Sequence, residues 1–168
     1  MQIGVIHYTN IHISDSSTML KGRLQFHQEL LHFDLLDSDT LTEDEIRTHH
    51  GRILQSIQKE DYLLPIHSGI DLTHFFMLEY QLPITLHDTG SLYLPLHKKG
   101  NALYDQTKEI ASPFCMDQTT STSEATVHAI QCFFFSHAST THTYSELLEA
   151  AGTMFTHVHG GTFKIELL

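Results

Sequence analysis

A chain of 168 residues is long enough to bury a core, as one compact domain or as two small ones sharing an interface. Its net charge of −11, from nine Lys and Arg against 20 Asp and Glu, argues against nucleic acid, whose phosphates need basic patches. It argues equally against anionic membrane surfaces. A cationic or apolar partner suits such an acidic chain better. No apolar run approaches the ~18 residues of a bilayer span. The opening Met1-Gln2-Ile3-Gly4-Val5-Ile6 lacks the basic start and small-residue cleavage site of a signal peptide. A cytoplasmic setting is therefore expected, with Cys115 and Cys132 as two reduced thiols.

In chain order, Ile3, Val5 and their neighbours read as a first strand over 2–7, continuous enough in apolar character for a doubly covered position. Residues 9–19 are polar and turn-rich. Leu24 and Phe26 alternate with Arg23, Gln25 and His27, which predicts a second strand over 23–28. An acidic connection follows, carrying Asp34, Asp37, Asp39, Glu43, Asp44 and Glu45. Thr42 with Glu45 spells a capping box. Behind it Ile46, Ile53, Leu54 and Ile57 lie on one face of a helix predicted over 43–58.

Tyr62-Leu63-Leu64-Pro65-Ile66 reads as a short buried strand over 62–67, with Pro65 near its end because proline donates no hydrogen bond. Gly69 closes this unit where the backbone turns under a helix over 71–80 capped by Asp71. A strand over 91–96 (Leu92, Leu94, Leu96), a helix over 101–111 and a Thr/Ser-rich linker over 112–124 are expected next. AIQCFFF at 129–135 predicts a buried strand. Thr143 with Glu146 spells a second capping box for a helix over 144–157, with Leu147, Ala151, Met154, Phe155 and Val158 inward. Gly160-Gly161 permits a tight turn into a closing strand over 162–167.

The run HHGRILQSIQKEDYLLPIHSG, residues 49–69, is similar to the helix and "VLP-x-R-F-G" segment of gas vesicle accessory proteins of the GvpF/GvpL family. The shared pattern is His50, Arg52, Ile53, Leu54 and Ile57, then Leu64-Pro65 and Gly69, without a gap. The chain departs from it at His67-Ser68, where the family has Arg-Phe. It also ends at Leu168, where the family's Gly-Pro-Trp-Pro-Pro-Tyr motif begins, and it contains no Trp. The resemblance implies a non-enzymatic assembly factor whose partners are the hydrophobic gas vesicle shell protein or other vesicle accessory proteins. It implies contacts near Leu64, Pro65, His67, Ser68 and Gly69, with no cofactor.

The 15 histidines are scattered over nearly every segment. The sequence offers no HExxH, no His pair at i, i+4 and no C-x-x-C, so a zinc site has no announced ligand set. His157-x-His159 lies at a helix end, where imidazole suits the helix dipole. Cys132 sits in an apolar strand, where a thiol is inert packing. His12 and His27 with Asp34 form an acid–base set only on paper. No G-x-S-x-G elbow or phosphate-binding glycine loop is present.

The expected fold is α+β, with two small packed halves. The first, 1–98, holds four strands and two helices. The second, 99–168, carries a ferredoxin-like β-α-β ending, with 112–124 as linker. Gas vesicle assembly is the expected role. A cytosolic histidine-dependent enzyme or metal-binding protein is one alternative, and an acidic inhibitor or immunity-type module is another.

Overall fold

The computed structural model describes residues 1–36, 41–136 and 141–168. Asp37 and Asp39 of the acidic connection lie outside the described residues. The chain begins with β1 (Gln2–Thr9), α1 (Thr18–Leu36), α2 (Glu43–Arg47), α3 (His49–Gln58) and α4 (Ser68–Tyr80). It continues through β2 (Ile84–Asp88), β3 (His97–Lys99), β4 (Ala102–Tyr104), β5 (Glu109–Ala111), β6 (Ala129–Phe135), α5 (Thr141–His159) and β7 (Thr162–Leu167). The fold is α+β.

The main sheet is antiparallel, in the order β2-β6-β1-β7. Each crossover, from β1 to β2 through α1–α4 and from β6 to β7 through α5, skips one strand position. This is the split β-α-β arrangement of ferredoxin-like folds. It takes in both ends of the chain, whereas the sequence placed it in the C-terminal half alone. The boundary drawn at 98/99 falls inside β3, and the sheet draws two strands from each side of it.

β6 explains why this sheet is so apolar: all seven of its residues are buried. Phe133 and Phe135, with Ile6 and Tyr8 of β1, join the core beneath the helices. Ile130, Cys132 and Phe134, with Ile3 and Val5, join a second cluster closed by Leu103, Ile110 and Ala111 of the small sheet β3-β4-β5. The molecule is therefore layered as helices, four-stranded sheet and three-stranded sheet. Its central strands are covered on both faces, so they lack the alternation of a half-exposed strand.

Several expected elements take other forms. Residues 23–28 belong to α1, because Leu20, Leu24, Gln28 and His32 turn inward at helical spacing. The helix expected over 43–58 breaks at Thr48, whose extended backbone (φ −72°, ψ 155°) ends α2. The Thr48 hydroxyl accepts the Gly51 N–H at 2.9 Å and so starts α3. The Thr42–Glu45 capping box is present in full. A Cβ on Gly51 would stand 1.8 Å from the Glu45 carbonyl oxygen, so glycine is what lets the two short helices meet so closely.

Residues 62–67 form no strand; Leu64, Pro65 and Ile66 lie exposed outside any sheet. α4 starts three residues before the expected Asp71, and His67 caps it. In place of a strand over 91–96 the chain forms β2 earlier, directly after Pro83. Leu92 and Leu96 pack on the second cluster from irregular backbone.

The expected helix over 101–111 is a hairpin. The buried Asp105 carboxylate accepts N–H groups from Tyr93 (3.1 Å), Thr107 (2.7 Å) and Lys108 (2.9 Å), closing a side-chain turn between β4 and β5. The 112–124 segment is tied down rather than linker-like. It has a 3-10 turn at Gln118–Thr120 capped by Asp117, a Lys108–Asp117 ion pair, and bridges from Ala111 to Met116 and His87 to Ser121.

α5 begins at Thr141, which places Thr143 inside the helix rather than at its cap. Its inward stripe is Tyr144, Leu148, Ala151 and Phe155; Met154 and Val158 face outward and Leu147 is half-buried. Two ring pairs set that rotation: Tyr144 stacks on Phe135 at 4.0 Å and Phe155 on Tyr8 at 4.1 Å. Gly160 and Gly161 then turn the chain at φ +71° and +77°, a region that favours glycine. Among the described residues no helix is long and apolar enough to cross a membrane.

Candidate functional site

Leu64, Pro65, His67, Ser68 and Gly69 divide into an outer and an inner group. Leu64 is 80% exposed and Ile66 61%, so Leu64-Pro65-Ile66 forms an apolar strap over the surface. The strap is anchored at both ends. The Gln28 side chain accepts the Leu63 N–H at 2.7 Å. The buried Asp71 carboxylate accepts the Ile66 N–H at 2.9 Å and the Ser16 hydroxyl.

The inner group is structural. His67 Nδ1 accepts the Ile70 N–H (3.3 Å), which places its proton on Nε2, and that proton is donated to the Thr122 carbonyl (3.1 Å). Ser68 exchanges bonds with Ser14 and lies 2.9 Å from His159 Nε2. His159 Nδ1 donates to the Phe155 carbonyl at 2.9 Å, so Nε2 accepts the Ser68 O–H. Burial pushes the His159 pKa down. A hydroxyl bonded to a neutral imidazole has the form of an activated nucleophile, yet both residues are sealed inside, 3% and 4% exposed. The pair ties the start of α4 to the end of α5. Gly69 fits between Ile13 and Leu86, where a Cβ would come within 3.0 Å of the first.

Beside the strap lies a cavity of about 410 Å³ between α3, α4, β2 and the 113–122 segment. Ile66 forms part of its wall, together with His49, Arg52, His74, Cys115 and Thr122. Among the described residues no Asp or Glu lines it. Arg52 donates to the Arg47 carbonyl (2.7 Å) and the Phe114 carbonyl (2.6 Å), holding the 113–115 backbone against α3. Burial pushes His74 down to about 4, and burial with the Arg52 charge lowers His49, so both imidazoles are neutral at pH 7. Among the described residues His74 Nδ1 and Thr122 Oγ1 are buried without a hydrogen-bond partner.

The remaining sequence candidates do not converge on chemistry. Among the described residues no three His, Cys, Asp or Glu side chains gather as a metal site. Burial pushes the Cys132 thiol up to about 12, which makes it packing. Cys115 is exposed and contacts Ser112 and Glu109. His27 pairs with Glu79 at 3.7 Å, and His12 and Asp34 are exposed. His157 faces solvent while its neighbour in the His-x-His pair, His159, turns inward. The cavity and the Ser68–His159 pair were missed from sequence because their parts come from segments far apart along the chain.

No protein-family model matches the chain. It is similar to a protein of Bacillus subtilis (strain 168) named "Uncharacterized protein YhzB", at 28% identity over 191 aligned positions that take in all of this chain and 92% of that protein.

Proposed function

We propose that the chain is a non-enzymatic accessory factor that holds an apolar protein client on the Leu64–Ile66 strap. The observation that carries this reading is the exposure of Leu64 and Ile66 on a backbone fixed at both ends. An exposed apolar pair on a pre-organised segment loses little entropy when it docks. The resemblance of residues 49–69 to gas vesicle accessory proteins supports one client above others: the hydrophobic gas vesicle shell protein, met in the cytoplasm before it enters the vesicle wall. The −11 charge keeps the complex dispersed.

Co-expression tests it. The chain is expected to keep shell protein in the supernatant, and the Leu64→Asp/Ile66→Asp double variant is expected to lose that effect while folding normally. Exposed substitutions of this kind change stability by only about 0.5 kcal/mol. Shell protein that stays equally soluble with both forms, or with neither, defeats the reading.

The cavity favours a second reading, a histidine-lined site for a compact organic anion. A pocket of this size suits a small ligand. Arg52 is its cation, and His74 Nδ1 and Thr122 Oγ1 are buried polar atoms of the cavity-lining residues. Short-chain carboxylates from acetate to hexanoate, added at millimolar concentration, are expected to raise the melting temperature of the wild type but not of Arg52→Ala. Equal shifts in the two proteins count against an anion site there.

A further inference from the structure

α1 carries a second apolar face that the fold leaves uncovered. Met19, Phe26, Leu30 and Phe33 are 69, 61, 47 and 66% exposed. At i, i+7, i+11 and i+14 they fall within about 40° of one line along the helix, a stripe roughly 20 Å long. The opposite face, Leu20, Leu24, Gln28 and His32, is the one that packs on the core. Two faces of one helix are therefore apolar, and only one is used inside the molecule.

We infer that this stripe pairs with the same stripe of a second copy, the two α1 helices running antiparallel about a two-fold axis that passes the outward face midway between Phe26 and Leu30. Charge placement favours a copy of this chain over an unrelated helix. Arg23 and Asp34 sit on the same flank of the stripe, near opposite ends, and among the described residues neither forms an ion pair. In an antiparallel two-fold pair each flank meets itself reversed, as isologous contacts require. Arg23 of each copy then comes opposite Asp34 of the other, and Phe26 comes beside the second copy's Leu30. In a parallel two-fold pair that flank meets the opposite flank of the second copy, so Arg23 does not come opposite Asp34.

In this register Met19 reaches past the end of the second copy's α1, so Phe26, Leu30 and Phe33 carry the apolar contact. Large side chains present about 150–250 Å² each when fully exposed, so these three offer roughly 350 Å² per copy, and the flanking Arg23 and Asp34 raise the pair from about 700 Å² toward the ~1,000 Å² of a specific interface. The self-pairing is independent of the strap and stands whatever the strap binds.

Sedimentation velocity on the intact chain tests the inference. The wild type is expected to be a dimer at concentrations of tens of micromolar, and Phe26→Asp/Phe33→Asp is expected to be a monomer, its Kd raised at least ~100-fold. Arg23→Glu alone and Asp34→Arg alone are each expected to weaken the dimer by about tenfold, and the two together to restore it. Because all four side chains point to solvent, the variants keep the wild-type circular dichroism. A wild type that stays monomeric at about 100 μM overturns the inference. So does a dimer indifferent to Phe26→Asp/Phe33→Asp, or a paired charge reversal no tighter than the single ones.

Discussion

Acidification from pH 7 is expected to unfold the chain before pH 4 is reached, because three histidines are held neutral in its interior. Burial pushes His50, His74 and His87 each down to about 4 from an ordinary value of 6.5. His49 adds to the depression at His50 and His74. Glu45, Asp71 and Asp117 oppose it at His50, His74 and His87 respectively, without reversing it. The folded-state pKa lies below the unfolded one, so between pH 6.5 and about 4 the unfolded chain binds more protons than the folded one. Stability is fully present above pH 6.5 and is lost as pH falls through that window.

Each imidazole is worth on the order of 3 kcal/mol across the window, at about 1.4 kcal/mol per pH unit. Three of them rival the whole 5–15 kcal/mol stability of a domain. Circular dichroism followed from pH 7.5 to 3.5 is expected to show a cooperative loss above pH 4. His87→Gln removes one titrating group, so the midpoint is expected to move to lower pH. His87 is bonded on both ring nitrogens, to Thr120 Oγ1 (2.6 Å) and Thr85 Oγ1 (2.9 Å), and an amide retains donors and acceptors for those hydroxyls. A signal unchanged down to pH 3.5 contradicts this account of the buried histidines.

Phe155→Ala is expected to cost about 3–5 kcal/mol, among the largest effects of any single truncation. The ring has no exposed surface. It stacks on Tyr8 at 4.1 Å and lies 4.1 Å from the His159 ring. Tyr8 in turn donates to Gln131 Oε1 (2.9 Å), and Gln131 Nε2 donates to Thr73 Oγ1 (2.8 Å). Removing Phe155 therefore leaves a cavity next to the polar chain that crosses the helix–sheet interface, joining β1, β6 and α4. For a chain of this size the loss corresponds to a melting temperature lower by roughly 10–15 °C in a calorimetric scan. Phe155→Leu, which refills much of the space, is expected to lose less than half of that. A shift under about 3 °C for Phe155→Ala would mean that α5 is not held where the Tyr8 stack places it.

The parts of the fold legible in sequence are those whose environment is uniform along their length. β6 and β7 appear where AIQCFFF and the Phe163-Ile165-Leu167 alternation put them, and β1 is only two residues longer at its end. α1 was illegible for a physical reason. With Gln28 and His32 buried and Met19, Phe26, Leu30 and Phe33 outside, its two faces differ little in polarity. The local Leu24–Phe26 alternation then imitates a strand. The same surplus of outward apolar side chains is what makes α1 a pairing surface.

β4 and β5 were misread because Leu103 and Ile110 fit one helical face as well as the inner face of a hairpin. Asp105 decides between the two by taking three backbone N–H groups at once. The candidate site was half legible. The Leu64–Gly69 run was picked out from sequence, but a run of Leu, Leu, Pro and Ile reads as buried. Its exposure follows from Gln28 and Asp71, which seize the backbone on either side of it. The cavity behind Ile66 assembles from α3, α4, β2 and the 113–122 segment, a convergence that no local spacing announces.

Titration calorimetry of the intact chain against a soluble fusion of the gas vesicle shell protein addresses the docking role most directly. Binding with a Kd in the micromolar range, about −8 kcal/mol, that weakens at least ~30-fold in Leu64→Asp/Ile66→Asp is the predicted result. No heat of binding at about 100 μM shell protein, or an affinity that the double substitution leaves unchanged, would contradict it.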